Sequence, residues 1–240
     1  MTGTLAVARR AAFELKTVTA RYPWLAIPIA RRRHGAPVDA STEIVIEGFP
    51  RTGTSFAVAG FKLAQERLVS VACHVHAPAQ ILAGVRRGLP TVIVTREPKD
   101  TVISFMVRNP HLSMAQGLRG YLRFYETVLP CLGATVVAPF GEVTNDLGSA
   151  IERVNARFGT SFDTFEHSPA NVEAVFAQID EDYRRRLGEG ERFEREVARP
   201  SPVREGLKES VARAYGSPGL AGLRDRAERV WERMEAAAGA

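Results

Sequence analysis

Short β-branched runs alternate with longer stretches of helical period along most of this chain. Glu43–Glu47 (EIVIE) and Thr91–Thr95 (TVIVT) read as buried strands, with Val69–Cys73 and Thr135–Ala138 as two more. Helices are predicted over Ser55–Arg67, Pro78–Arg87, from Asp100 to Val107, and over Ser113–Leu129. Leu118, Tyr121, Leu122 and Tyr125 mark the apolar face of the last of these. Leu147, Ile151, Val154 and Phe158 space as a further helix face, and so do Val175, Ile179 and Tyr183. Leu220, Leu223, Ala227, Val230 and Met234 give the C-terminus an amphipathic helix. Residues 188–206 are densely charged, hold two prolines and read as a loop. Strands interleaved with helices predict an α/β fold with a central parallel sheet flanked by helices.

The N-terminus has a different pattern. Leu5, Ala8, Ala12, Leu15 and Val18 follow helical spacing until Pro23 breaks it, and Gly35–Thr42 reads as a polar linker. The chain therefore divides into a helical arm over 1–40 and a domain over 41–240, whose part from about 165 is helical. Charge sharpens the division. Residues 1–40 hold seven basic and two acidic residues, the whole net charge of +5, and the remaining 200 residues balance. A basic arm on a neutral body excludes a nucleic-acid footprint spread over the fold. Two readings of the arm stand: peripheral contact with an anionic membrane surface, or a covering helix with a solvated basic side.

At 240 residues the chain can bury a core without disulfides or metal. Its two cysteines, Cys73 and Cys131, are far apart, which suits a reducing compartment. No apolar stretch reaches membrane-spanning length, and Trp24–Ala30 suits no signal peptide. A cytoplasmic protein, with membrane association left open, is the expectation. His34, His111 and His167 show no metal-ligand spacing, and no acidic cluster suggests Mg²⁺. His34, within the Arg31–Arg33 run, reads as solvated.

The strongest chemical signal is Gly48–Phe56, GFPRTGTSF, between a strand and a helix. Its GxxxxG spacing matches a Walker loop, which turns backbone N–H groups and a helix N-terminus toward a phosphate. Thr54 stands where a nucleotide hydrolase needs Lys, and the cation sits inside the loop, at Arg51. That suits anion binding better than Mg²⁺-dependent hydrolysis. A second cluster, Thr91–Arg108, sets Arg96 at the carboxyl end of a strand, where open parallel sheets bind ligands, with Ser104 in the following helix. Both side chains suit a second phosphate. An Arg96–Asp100 pair capping the helix is the alternative. A third cluster, Cys73–Pro78 (CHVHAP), places His74 and His76 two residues apart on one side of a strand end. His is suited to taking a hydroxyl proton near neutrality. Glu47 is the rival base.

GFPRTGTSF and REPKDTVIS, in this order and about 45 residues apart, resemble the sulfotransferases that use 3′-phosphoadenosine 5′-phosphosulfate (PAPS). The resemblance covers residues 43–108 and, more weakly, the stretch VVAPFGEVTNDLGSAIERVNARFG. It implies a P-loop NTPase-like sulfotransferase architecture and a metal-free transfer of sulfonate to a hydroxyl or amine of a small-molecule, carbohydrate or lipid acceptor. It assigns Thr52, Gly53, Thr54 and Ser55 to the 5′-phosphate and Arg51 to the bridging oxygen. Phe56 falls to adenine or to the core, and Arg96 and Ser104 to the 3′-phosphate. It makes His76 the general base, with His74, where the family usually has Lys, adding charge when protonated. The Arg-Lys-Gly stretch that closes over the 3′-phosphate in part of the family is absent, and Arg199, Arg204 and Lys208 are candidate replacements. Phe105–Tyr125 and the C-terminal helices are candidate acceptor walls; Met106, His111, Met114, Phe124 and Tyr125 suit an apolar or sugar-like acceptor and a plain core equally. A P-loop kinase and a non-catalytic nucleotide-binding protein remain the alternatives. Nothing in the sequence sets the oligomeric state.

Overall fold

Alternate residues of each strand serve opposite faces of one sheet, which is why the strands carry no polar face. Our computed structural model describes residues 2–32 and 35–239; His34 and Arg33 lie outside them. The strands are β1 (Ile44–Gly48), β2 (Val71–Cys73), β3 (Thr91–Thr95) and β4 (Val136–Pro139), in the order β2-β1-β3-β4 and all parallel. Ile44, Ile46, Val92, Val94, Val136 and Ala138 face one apolar core. Ile93 and Val137 face the other. Burial on both faces is what a parallel sheet between helical layers requires.

On the first face lie α3 (Thr54–Ala64), α8 (Leu147–Phe158) and α9 (Pro169–Leu187). On the second lie α4 (Pro78–Arg86), α5 (Pro98–Arg108), α6 (Met114–Val128), α11 (Pro202–Tyr215) and α12 (Ala221–Ala238). The short α7 (Phe140–Asn145) follows β4 directly. The α/β class and the parallel sheet are as expected, with element ends within three residues of those read from the sequence.

Two regions differ from expectation. Residues 188–206 are not an open loop: they contain α10 (Glu191–Glu196) and the first turn of α11. Phe193 and Val197, four apart, are buried in the first core, and that short apolar face is hidden in sequence by the charges around it. Those charges pair locally, Arg192 with Glu196 and Arg199 with Glu194. Gly35–Thr42 is not a free linker either. Ala36 exchanges two backbone hydrogen bonds with Cys73 at the edge of β2, and Val38 is buried with its N–H on Gln80 Oε1.

The arm forms α1 (Thr2–Thr19) and α2 (Pro23–Ala30). It docks through Phe13 against Phe105, through Glu14 to Arg119 and Arg123, and through Ala20, whose carbonyl accepts from Ala79 N–H. No helix among the described residues is long and apolar enough to cross a membrane.

Candidate active site

Register brings the three sequence clusters to one edge. Gly48 pairs with Val94 and Thr95 with Pro139, so the Gly48 loop, Arg96 and Phe140 all emerge together at the carboxyl end of the sheet. Ile46 pairs with Cys73, which sets His74 and His76 beside Glu47 and Gly48. β1 connects to β2 on one side and has β3 on the other, the arrangement that opens a crevice in such sheets.

The loop after β1 needs its glycines. A Cβ at Gly48 would lie 2.5 Å from the Val94 carbonyl oxygen and 2.6 Å from Thr52 Oγ1. Gly53 has φ +95° at the start of α3, a conformation that favours glycine. Thr52 turns inward: its hydroxyl donates to the Phe49 carbonyl at 2.8 Å and meets Thr54 Oγ1 at 3.3 Å. Gly53, Thr54 and Ser55 line a cavity of about 440 Å³, whereas the Thr52 side chain does not. Phe56 lines that cavity but is buried in the first core, against Phe165, Phe176 and the ring of His167.

Arg51 joins the first two clusters. Its Nε donates to Ser104 Oγ at 3.0 Å, and its Nη1 donates to the Glu196 carbonyl at 3.1 Å. Arg96 donates to Asp100 at 2.8 Å and lies over the Phe140 ring at 4.0 Å. The Arg96–Asp100 pair is therefore present, and Arg96 still lines the cavity with Arg51 and Ser104. The structure adds Arg108, Arg199, Arg204 and Lys208 to the same wall. All three candidate replacements from the C-terminal region are thus brought to the cavity. Glu205, paired with Lys208, is the one carboxylate in the described lining. Arg204 is buried and donates to the Val197 carbonyl. Burial and the neighbouring cations Arg204, Arg108 and Arg96 push the Arg51 guanidinium down to about 10. It remains charged at neutral pH, in a site that an anion would relieve.

The histidine segment is held by a carboxylate. Glu47 is fully buried and accepts from the N–H groups of Gly48, Val75 and His76 at 3.1, 2.8 and 3.1 Å. It is tied to backbone and cannot itself reach a substrate. His76 Nδ1 lies 2.9 Å from the Gly48 carbonyl oxygen and 3.3 Å from Glu47 Oε1. Two acceptors at Nδ1 fix the proton there, which leaves Nε2 as a lone-pair base. Nε2 has no hydrogen-bond partner among the described residues.

His74 differs from expectation. Burial, reinforced by the adjacent His76, pushes its imidazole down to about 4. It is neutral at neutral pH and supplies no cation there. It lines not the first cavity but a neighbouring one of about 1040 Å³ between α3 and α9. That pKa makes a stability prediction. A histidine depressed in the folded state loses stability as pH falls from the unfolded value toward the folded one. Between neutral pH and about pH 5 His74 should account for about 2 kcal/mol of lost stability. His74→Asn, which tolerates φ +60°, should flatten the urea-unfolding profile by that amount.

The non-glycine residues with positive φ among those described are Arg51 at +77°, His74 at +60° and His76 at +50°. They are the three residues the sequence proposed as catalytic. Strained backbone concentrates at sites where side chains must be aimed.

The two cavities share Ser55, His76, Arg108 and Tyr183. Sequence reasoning missed Arg108, Phe140 and Tyr183. Tyr183 sits four residues after Ile179 and reads as plain core. Burial would raise its phenol, but Arg108, Arg51 and Arg186 outweigh this and lower it. Of the two expected sources of acceptor walls, the C-terminal helical part lines the second cavity, through Val175, Gln178, Ile179 and Tyr183 of α9, and for the named residues of Phe105–Tyr125 the core alternative holds. Met106, Met114, Phe124 and Tyr125 are buried in the second core, His111 offers only its carbonyl, to Arg10, and of that region Arg108 alone lines the second cavity. The helical period of Phe105–Tyr125 serves packing.

Fold and site together define an α/β protein with a cation-lined cavity at the carboxyl edge of a parallel sheet and an oriented histidine at its rim. Among solved structures, the crystal structure of mouse sulfotransferase SULT7A1 complexed with PAP is similar to this chain. The match has 12% sequence identity and a TM-score of 0.43, over 80% of this chain and 91% of that one. No protein-family model and no curated protein matches the sequence.

Proposed function

We propose that the protein is a PAPS-dependent sulfotransferase. The observation that carries the reading is the convergence of a phosphate-type loop, Arg51 with Ser104, Arg96 and an oriented His76 on one cavity. Its volume of about 440 Å³ lies in the range of small-ligand sites. Its six basic side chains against one paired carboxylate fit a polyanionic nucleotide. That donor set, poor in carboxylates, is unsuited to Mg²⁺ and counts against a kinase.

In this reading the backbone N–H groups of Gly53–Ser55 and the start of α3 hold the 5′-phosphate. Arg96, Ser104 and the C-terminal cations Arg199, Arg204 and Lys208 serve the 3′-phosphate. Arg51 stabilises charge on the oxygen that bridges phosphorus and sulfur as the S–O bond breaks. The acceptor enters by the larger cavity, and its hydroxyl or amine forms the new bond to sulfur. His76 Nε2 takes the proton, and adenosine 3′,5′-bisphosphate leaves. His76 is suited to this because it stands where the two cavities meet. The larger cavity carries Lys62, Arg108, Arg186 and Arg192 against Asp182 and Glu196, so it favours an acceptor that bears an acidic group.

The test is transfer of radiolabelled sulfonate from PAPS to a panel of alcohols and amines, each with and without a carboxylate. Labelled product that depends on His76 supports the proposal. Tight binding of the bisphosphate with no labelled product from any acceptor would favour a non-catalytic binding protein.

A further inference from the structure

The apolar stripe of α1 faces outward. Leu5, Ala8, Ala12, Leu15 and Val18 are exposed, Leu15 at 66%, while Phe13, Glu14, Thr17 and Ala20 meet the body. This is the reverse of a covering helix that buries its apolar side. The exposure continues through Tyr22, Trp24 at 74% and Ile29. Of the ten large hydrophobic residues exposed among those described, seven lie between Leu5 and Ile29. Such concentration in one patch marks an interaction surface.

Charge identifies what covers it. Arg9, Arg10 and Lys16 on α1, Arg21 between the two helices, and Arg31 and Arg32 just after α2 are all exposed. The single acid of residues 2–32, Glu14, is turned inward to Arg119 and Arg123. The outward surface is thus apolar, aromatic and cationic. A second copy would set cation against cation, whereas an anionic lipid surface satisfies both the apolar and the charged groups.

We propose that α1 and α2 lie in the plane of an anionic membrane surface, with the α1 stripe and Trp24 in the headgroup region and the basic side chains on lipid phosphates and carboxylates. The surface is coupled to the site. Ala20 and Ala26 of the arm pack on Val75, Ala77 and Ala79, the segment that carries His76.

Co-sedimentation of the full chain with phosphatidylcholine vesicles, with and without phosphatidylserine, tests this independently of any sulfonate transfer. Binding should require phosphatidylserine and weaken with salt. Leu15→Glu and Trp24→Ala, both at exposed positions, should each lower the affinity by about tenfold or more with an unchanged unfolding midpoint. No binding to phosphatidylserine vesicles, equal binding to pure phosphatidylcholine, or binding unchanged in Leu15→Glu overturns the proposal. Self-association in sedimentation velocity that Leu15→Glu abolishes would assign the stripe to a second copy and overturn it as well.

Discussion

His76→Asn is expected to lower kcat for sulfonate transfer by about 100- to 10,000-fold while leaving the Kd for adenosine 3′,5′-bisphosphate within about twofold. Asparagine tolerates the left-handed backbone at this position, where φ is +50°. Its N–H still donates to Glu47, so the segment keeps its path. What is lost is the ring nitrogen opposite Nδ1. A residue that only packs would change stability and leave kcat alone, so the comparison of kcat with binding separates the two roles. Steady-state kinetics beside calorimetry measures both.

The second large effect is expected at Arg51. Arg51→Gln should weaken bisphosphate binding by about 100-fold and reduce transfer further, because the charge on the bridging oxygen grows as the S–O bond breaks. Arg51 is half-buried among Arg96, Arg108 and Arg204, and its guanidinium is lowered to about 10. An anion arriving there satisfies several like charges together. The wild-type protein should therefore gain thermal stability with added bisphosphate, since a ligand that binds only the folded state raises its stability. Arg51→Gln should show most of that gain removed in a thermal-shift titration. A variant that keeps the full gain would place the bisphosphate elsewhere.

Much of the fold was legible because the strand and helix periods are clean. Thr91–Thr95 is a strand with the ends read from its sequence, and Ser113 caps α6 through a reciprocal pair with Gln116. The parts that misled did so for physical reasons. The apolar face at α10 is only Phe193 and, just past its end, Val197, too short for periodicity to rise above its charges. The arm carries an apolar stripe of ordinary helical spacing, and sequence spacing says that a face exists without saying which way it points. Only the packing of Phe13 and the pairing of Glu14 settle that.

The site was legible in its local clusters and not in its closure. Gly48–Phe56, Arg96 with Ser104, and His74 with His76 each stand in one short stretch, which a strand end delivers to the sheet edge. Arg199, Arg204, Lys208 and Tyr183 come from segments distant in sequence, Arg108 stands at the far end of the helix that carries Ser104, and no local spacing singles these residues out from solvated or core ones. His74 shows the limit of motif reasoning at one residue. Its position matched the motif, but partial burial beside His76 sets its charge, and burial is a tertiary property.

The central claim is that the cavity holds a nucleotide bisphosphate without metal. Calorimetric titration with adenosine 3′,5′-bisphosphate, with and without Mg²⁺ and beside ATP, tests it most directly. Micromolar binding that is indifferent to Mg²⁺ and lost in Arg96→Ala is expected. No bisphosphate binding, or ATP binding that requires Mg²⁺, would contradict it.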